Sequence, residues 1–274
     1  FSIAEPLGIA RAEAPVTGGL PLARGVAADV RVLSLADENG NAIPAQIQPL
    51  ARWNSDGSLK WVLVDLQTDL AADGSKQFRL RAGKPGPRPP HQITVRETEK
   101  FVTVDTGRLK FKIRRKNFNF IDQAWVRTGK DETQVVNAGR DGGVRVVDWK
   151  KTVYWSHADS DSVVELEERG PLRTVVHARG RHLAADGNSF CQWDVRIHAF
   201  AGRSDLKVFH TFIFDGDPEA DLIRDVSLHL PLAFSPDPKN RPERIWSAML
   251  DDDLFSLPIH RDDARKDVEL IQER

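Results

Sequence analysis

The stretch Leu50-Ala51-Arg52-Trp53-Asn54-Ser55-Asp56-Gly57-Ser58-Leu59-Lys60-Trp61-Val62-Leu63-Val64-Asp65-Leu66 decides how this chain folds. A polar cluster, residues 54–58, sits between two short apolar runs, the strongest hairpin pattern in the sequence. Gly57 can take the positive φ that a tight β-loop asks for, and Asp56 can bond the backbone two residues on. A loop centred on Gly57 predicts Trp53 opposite Trp61 on the paired strands, where two indoles would fix the register. Val62, Val64 and Leu66 then share one face, with Trp61 and Leu63 on the other, so the strand is expected to be central and covered on both sides. Arg52 and Lys60 flank the tryptophans, and a cation near an indole face is a stabilising contact. Arg52, Trp53, Lys60 and Trp61 thus admit two readings, a core hairpin or an aromatic and basic saccharide-binding surface. Apolar residues at strand period are ordinarily core, which favours the first.

Working outward, residues 15–25 are rich in Gly and Pro and predict an irregular loop. Residues 30–35 read as a strand, 37–40 as a turn and 43–53 as a returning strand. Pro44 and Pro49 push that strand toward an edge or a bulged path. After the hairpin come a turn at Asp73-Gly74 and a short strand over 77–81. The stretch 84–90, Lys-Pro-Gly-Pro-Arg-Pro-Pro, holds four prolines in seven residues and predicts a semi-stiff extended connector. A domain boundary is expected there, with modules at 1–90 and 91–274 and few core contacts crossing between them.

Beyond the connector, residues 109–115 alternate, with Lys110, Lys112 and Arg114 on one face; simple solvation is the favoured reading of that face. Cys191, Trp193, Val195, Ile197 and Ala199 alternate with polar residues, which predicts a half-buried strand. Residues 206–214 are apolar on both faces and read as a central strand. Leu222, Val226, Leu228 and Leu230 continue the β pattern, and 231–242 is a proline-broken loop. Short strands with regular turns and no long helical period predict an all-β chain, a small barrel-like N-terminal module followed by a larger antiparallel β-sandwich.

Composition narrows the function. In 274 residues, 29% are charged yet the formal net charge is −1, so no global field points to nucleic acid or to a membrane, and neither is expected as a partner. The single Cys191 excludes an internal disulfide framework and a cysteine-type zinc site. The chain starts at Phe1 without an initiator Met and ends without a cap, so it is expected to be part of a longer polypeptide.

Several motifs, in order, carry a resemblance. Residues 52–61, Arg-Trp-Asn-Ser-Asp-Gly-Ser-Leu-Lys-Trp, resemble a signature of the exo-rhamnogalacturonan lyase-like family of polysaccharide-degrading proteins. The stretches 19–25 (Gly-Leu-Pro-Leu-Ala-Arg-Gly) and 43–46 (Ile-Pro-Ala-Gln) fit the same pattern. Further on, 106–111 (Thr-Gly-Arg-Leu-Lys-Phe), 170–173 (Gly-Pro-Leu-Arg) and 210–212 (His-Thr-Phe) resemble the family's second module. The resemblance implies an N-terminal RIFT-type barrel, a central β-sandwich and then an α/α-barrel that bears most of the active site. That last domain is absent here and is the expected partner of these modules, along with an acidic polysaccharide. Its catalytic residues have no matching positions, so none is carried over. The resemblance also implies a secreted or periplasmic protein.

Lyase chemistry on a uronic acid needs a group that offsets the carboxylate charge and a base that removes the adjacent proton. No self-sufficient catalytic set is expected in this chain. The candidates are Arg173 and His210, on family-like strands, and His157, close to Tyr154 and Trp155. Trp155 is also a candidate saccharide contact, but a lone histidine beside a strand is usually structural. Residues 215–221, with four acidic side chains, offer oxygen ligands suited to calcium. Gly216 is misplaced for an EF-hand loop, however, so an acidic turn is expected, with no metal and no cofactor. Asp251-Asp252-Asp253 reads as an acidic surface run. The leading expectation is the β portion of a lyase acting on acidic polysaccharide by β-elimination, the fragment itself positioning substrate and giving structural support. The alternatives are a non-catalytic carbohydrate-binding or structural module, and part of a glycoside hydrolase whose two carboxylates lie elsewhere.

Overall fold

The structure, a computed structural model, describes residues 1–137 and 142–233 and the backbone of 244–250 and 254–260. The chain divides into two units, Phe1–Pro231 and Leu232–Arg274. The first unit opens with β1 (Ser2–Ala4), β2 (Arg11–Pro21), β3 (Leu33–Ala36), β4 (Ala42–Ile43), β5 (Gln46–Arg52), β6 (Leu59–Leu70), β7 (Ser75–Gln77) and β8 (Arg79–Ala82). They form three small sheets in the orders β2-β6-β5, β4-β3-β8 and β1-β7. The chain is all-β, and this first part is the barrel-like module.

The hairpin at residues 50–66 forms, and β6 is the central strand of its sheet. Gly57 has φ +70°, and Asp56 Oδ1 accepts from both the backbone N–H (2.9 Å) and the hydroxyl (2.7 Å) of Ser58. These two hydrogen bonds draw the loop closed at Ser58, whose carbonyl accepts from Trp53 N at 2.8 Å. Two register shifts in β5 then set Ala51 opposite Trp61 and Arg52 opposite Leu59. Trp53 and Trp61 therefore do not pair, contrary to the symmetric reading, because the loop closes ahead of its expected centre. Val62, Val64 and Leu66 do share a buried face, joined by Leu35, Leu59 and Phe78. Each such side chain contributes on the order of 1.5–3 kcal/mol by leaving water. The opposite face is not apolar cover, since Trp61 is 40% exposed while Asp65 is buried.

Two further expectations are corrected here. Much of 15–25 is strand, because the twelve-residue β6 offers a full ladder to β2, from Arg11↔Leu70 to Pro21↔Trp61. The run 43–53 is broken at Pro44, which separates β4 and β5 into different sheets. β5 itself is an edge strand with a bulge at Pro49, as proline requires.

The sandwich follows. β9 (Thr94–Glu97), β10 (Phe101–Asp105), β11 (Leu109–Arg114), β12 (Gln123–Thr128) and β13 (Asp131–Val136) form one antiparallel sheet in sequence order. β14 (Gly143–Asp148), β15 (Val153–Trp155), β16 (Val163–Glu168), β17 (Arg173–Leu183), β18 (Ser189–Phe200), β19 (Leu206–Ile213) and β20 (Ile223–His229) form the other. Its order is β19-β18-β17-β15-β14-β20, with β16 also on β17. Val102, Val104, Phe111 and Ile113 from the first sheet share one buried cluster with Val176, Trp193, Val195 and Ile197 from the second. Trp193 stacks on Phe118 at 4.8 Å.

The alternation over β18 is the one the sequence predicts. β19 is not central, however. It ends the sheet among the described residues, and its outer face leaves Phe209 and Ile213 exposed. The basic face of β11 is not simply solvated. Lys110 pairs with Glu132 at 2.5 Å and lies over Trp125, and Arg114 pairs with the buried Asp122 at 2.5 Å.

The barrel cluster and the sandwich cluster are separate, but polar contacts cross between the modules. Gln46 Oε1 accepts from the backbone N–H groups of Leu172 (3.0 Å) and Arg173 (2.9 Å), and Gln67 Nε2 donates to the Ala201 carbonyl at 2.8 Å. Gly170 makes the first of these possible, because a Cβ there would fall 2.0 Å from the Gln46 amide. In the second unit, β21 (Arg244–Leu250) and β22 (Leu254–His260) form an antiparallel hairpin. Most of 231–242 and Asp251-Asp252-Asp253 lie outside the described residues.

Candidate functional site

The hairpin loop builds an open depression at one end of the barrel, lined by Arg24, Arg52, Trp53, Asn54, Ser55 and Lys60. Each is delivered by the local fold. The Trp53 indole Nε1–H donates to the Leu22 carbonyl at 3.1 Å, which fixes the plane of the ring. Lys60 Nζ stands 4.9 Å from the ring centroid, within cation–π range. Arg52 Nη1 donates to the carbonyls of Ala28 and Gly57 at 2.8 Å each, so this guanidinium mainly clamps the loop. Arg24 reaches the site because the β2–β6 ladder carries its strand past Lys60, where Leu22 N donates to the Lys60 carbonyl at 2.8 Å. The result is an aromatic floor with cations around it, next to the amide of Asn54 and the hydroxyl of Ser55. Such a surface can pack a sugar ring against Trp53 while Lys60 and Arg24 attract a carboxylate.

Of the residues singled out in the sequence, Arg52, Trp53 and Lys60 are brought together here. Trp61 is not. It projects from the other face of β6 beside Leu50, whose side chain is also exposed.

The remaining candidates are dispersed. Arg173 begins β17 and is buried at the junction of the modules. Its Nε donates to Asp65 Oδ1 at 2.6 Å, its Nη2 to Glu168, and its Nη1 meets His198 Nδ1 at 3.2 Å. Burial raises the Glu168 carboxyl above its ordinary range although the Arg173 cation opposes this. Burial, reinforced by the Arg173 charge, pushes the His198 imidazole down to about 4, so it stays neutral and accepts the guanidinium N–H. Arg173 thus holds the two modules together.

His157 lies just past β15, ten residues along β17 from Arg173, or roughly 33 Å at strand rise. Its Nδ1 bonds the Gly142 carbonyl at 3.0 Å, and its ring rests 4.9 Å from that of Trp155. Trp155 in turn meets His229 edge-on at 4.9 Å and the Arg145 guanidinium at 5.8 Å. Burial, followed by the Arg145 charge, lowers the His229 imidazole from its ordinary value. His210 sits on β19 opposite Val195, and burial lowers its imidazole as well. His157, Arg173 and His210 therefore do not converge on one site. The acidic run 215–221 forms a turn in which Asp217 N donates to Asp221 Oδ2 and Glu219 N to Asp217 Oδ1.

Asp65, Arg145 and His229 were not singled out by the sequence, and Gln46 entered only as the end of the family-like stretch 43–46. Only Asp65 carried a local signal, a lone acid inside the apolar run of β6.

A barrel of short strands followed by a two-sheet antiparallel sandwich is the architecture that the resemblance to the rhamnogalacturonan lyase-like family implies. Residues 7–82 match the PcRGLX-like N-terminal RIFT barrel domain, and residues 93–268 match the PcRGLX-like protein central beta sandwich domain. With the sandwich match alone extending over more than half its length, the chain belongs to the PcRGLX-like family. It is also similar to the uncharacterized protein YetA of Bacillus subtilis (strain 168), at 25% identity over 232 residues. That alignment covers 82% of this chain but 26% of the relative, so the chain spans about a quarter of that protein's length.

Proposed function

We propose that this chain is the substrate-positioning β portion of a secreted or periplasmic polysaccharide lyase that degrades uronic acid-containing polymers by β-elimination. The observation that carries the reading is the depression in which Trp53 offers a ring-sized apolar floor and Lys60 and Arg24 supply positive charge. An acidic sugar residue fits both features. Its C–H face packs on the indole, and its carboxylate meets the cations. In β-elimination a base takes the proton beside the carboxylate, the electron pair forms a carbon–carbon double bond, and the glycosidic oxygen leaves. The charge neutraliser and base for that step are assigned to the helical domain of the longer protein, which is the intramolecular partner of these modules.

The test compares this chain with the full-length protein on rhamnogalacturonan and pectin, following ultraviolet absorbance of the new double bond. The full-length protein is expected to produce the absorbance and the chain alone none. In the full-length protein, Trp53→Ala and Lys60→Ala are expected to raise KM with little change in kcat, as loss of uniform binding requires. Reducing ends without the absorbance would instead indicate hydrolysis. Binding without any cleavage would indicate a carbohydrate-binding module.

A further inference from the structure

On the outer face of the larger sheet, β17 and β18 set four polar side chains in a square. Arg179 stands directly opposite Asp194, and Arg181 directly opposite Gln192. Cross-strand neighbours lie about 5 Å apart, and residues two apart along a strand about 7 Å. The square floors a cleft of about 470 Å³, within the range of small-ligand sites. Val163 and Ile213, both exposed and aliphatic, lie at its sides, and Asp161 at its rim.

Each corner is held by a neighbouring side chain. Asp194 Oδ2 is 2.6 Å from His177 Nε2, and its Oδ1 accepts from Arg196 Nη1 at 2.6 Å. Arg179 pairs with Glu165 at 2.5 Å. Arg181 and Gln192 converge on one oxygen of Asp215, at 2.9 and 3.0 Å. Side chains already fixed in this way lose little rotamer freedom when a ligand arrives. A plain solvated face would hold these pairs too, but it would not surround a ligand-sized concavity with aliphatic walls.

The charge balance selects the ligand. Arg179, Arg181 and Arg196 each already have a carboxylate, and Asp161 at the rim adds a further negative charge. Among the described residues, no uncompensated cation in the cleft awaits an anion, in contrast to the Trp53 depression. What the cleft offers is donors and acceptors in alternation beside apolar walls, and that suits a neutral polyhydroxylated ring. We propose that this cleft is a second saccharide site, specific for an uncharged pyranose unit. The proposal rests on the polysaccharide reading above and adds to it a neutral sugar in the recognised polymer.

The experiment titrates the chain with neutral methyl pyranosides and with methyl galacturonate as the charged control, observed by ligand NMR. At least one neutral glycoside is expected to bind the wild type. Gln192→Ala, and separately Ile213→Trp, which fills the cleft from an exposed position, are expected to weaken that binding about tenfold or more. Near-ultraviolet circular dichroism verifies that both variants fold. Trp53→Ala and Lys60→Ala are expected to leave neutral binding unchanged while reducing galacturonate binding. Absence of binding by every neutral glycoside, or neutral binding untouched by both cleft variants, overturns the proposal and leaves the acidic-sugar reading standing. Galacturonate binding that survives the Trp53 and Lys60 variants counts against that earlier reading alone.

Discussion

The Arg173 guanidinium and the Asp65 carboxylate meet at 2.6 Å across the junction of barrel and sandwich, with 3% and 4% of their side-chain surface exposed. A buried pair of this kind gains little over a hydrophobic pair, but losing one partner strands a charge. Thr17 also donates to the same Asp65 oxygen, at 2.5 Å, so the acid is committed to the junction.

Arg173→Met is therefore expected to cost about 3–5 kcal/mol, since both Asp65 and Glu168 lose their counter-ion. Adding Asp65→Leu to that variant is expected to restore part of the loss. Urea unfolding of the two single variants and the double variant measures the coupling. Strictly additive losses would show that the two residues do not act as a pair.

Two residues of β6, one buried and one exposed, call for opposite responses to truncation. Leu59 is fully buried among Leu35, Val62 and Phe78, and Leu59→Ala is expected to cost about 2–5 kcal/mol. Trp61 stands on the open face, and Trp61→Ala is expected to change stability by less than about 1 kcal/mol. Denaturant midpoints of the two variants decide this, and comparable losses would contradict the placement of Trp61.

What the sequence reveals here follows the range of the interaction. The Asp56-Gly57 turn is legible because its hydrogen bonds span two residues, and β18 because alternation is a property of the strand itself. The Trp53–Trp61 register is not, since it depends on bulges in β5 that no residue type announces. The strand β2 is disguised by Pro15, Gly18, Gly19 and Pro21, and becomes a strand because β6 supplies the ladder. Arg52, Trp53 and Lys60 could be grouped from the sequence because one loop joins them. Arg24 enters through strand pairing, and Arg173 meets Asp65 across 108 residues. The square of Arg179, Arg181, Gln192 and Asp194 needs the β17–β18 register before it exists at all.

The third prediction concerns acid. His182 is fully buried on β17, its Nδ1 bonds the Cys191 carbonyl at 3.3 Å, and its Nε2 has no partner among the described residues. Burial pushes its imidazole down from 6.5 to about 4, with the Cys191 bond opposing. Between those two values the unfolded chain carries a proton on this histidine and the native protein does not. Stability therefore rises with pH through that window and is lost as pH falls through it, while above pH 6.5 the residue makes no pH-dependent contribution. A shift of this size corresponds to about 3 kcal/mol over the whole window. His198 is displaced in the same direction but is partly exposed, so solvent screens its share. Replacing His182 with Leu is expected to flatten the pH dependence of the unfolding free energy between pH 4 and 6.5 by close to one proton. Urea titrations at half-unit pH steps read this directly. An unchanged slope in His182→Leu would assign the acid sensitivity to other groups, with His198→Leu the next variant to measure.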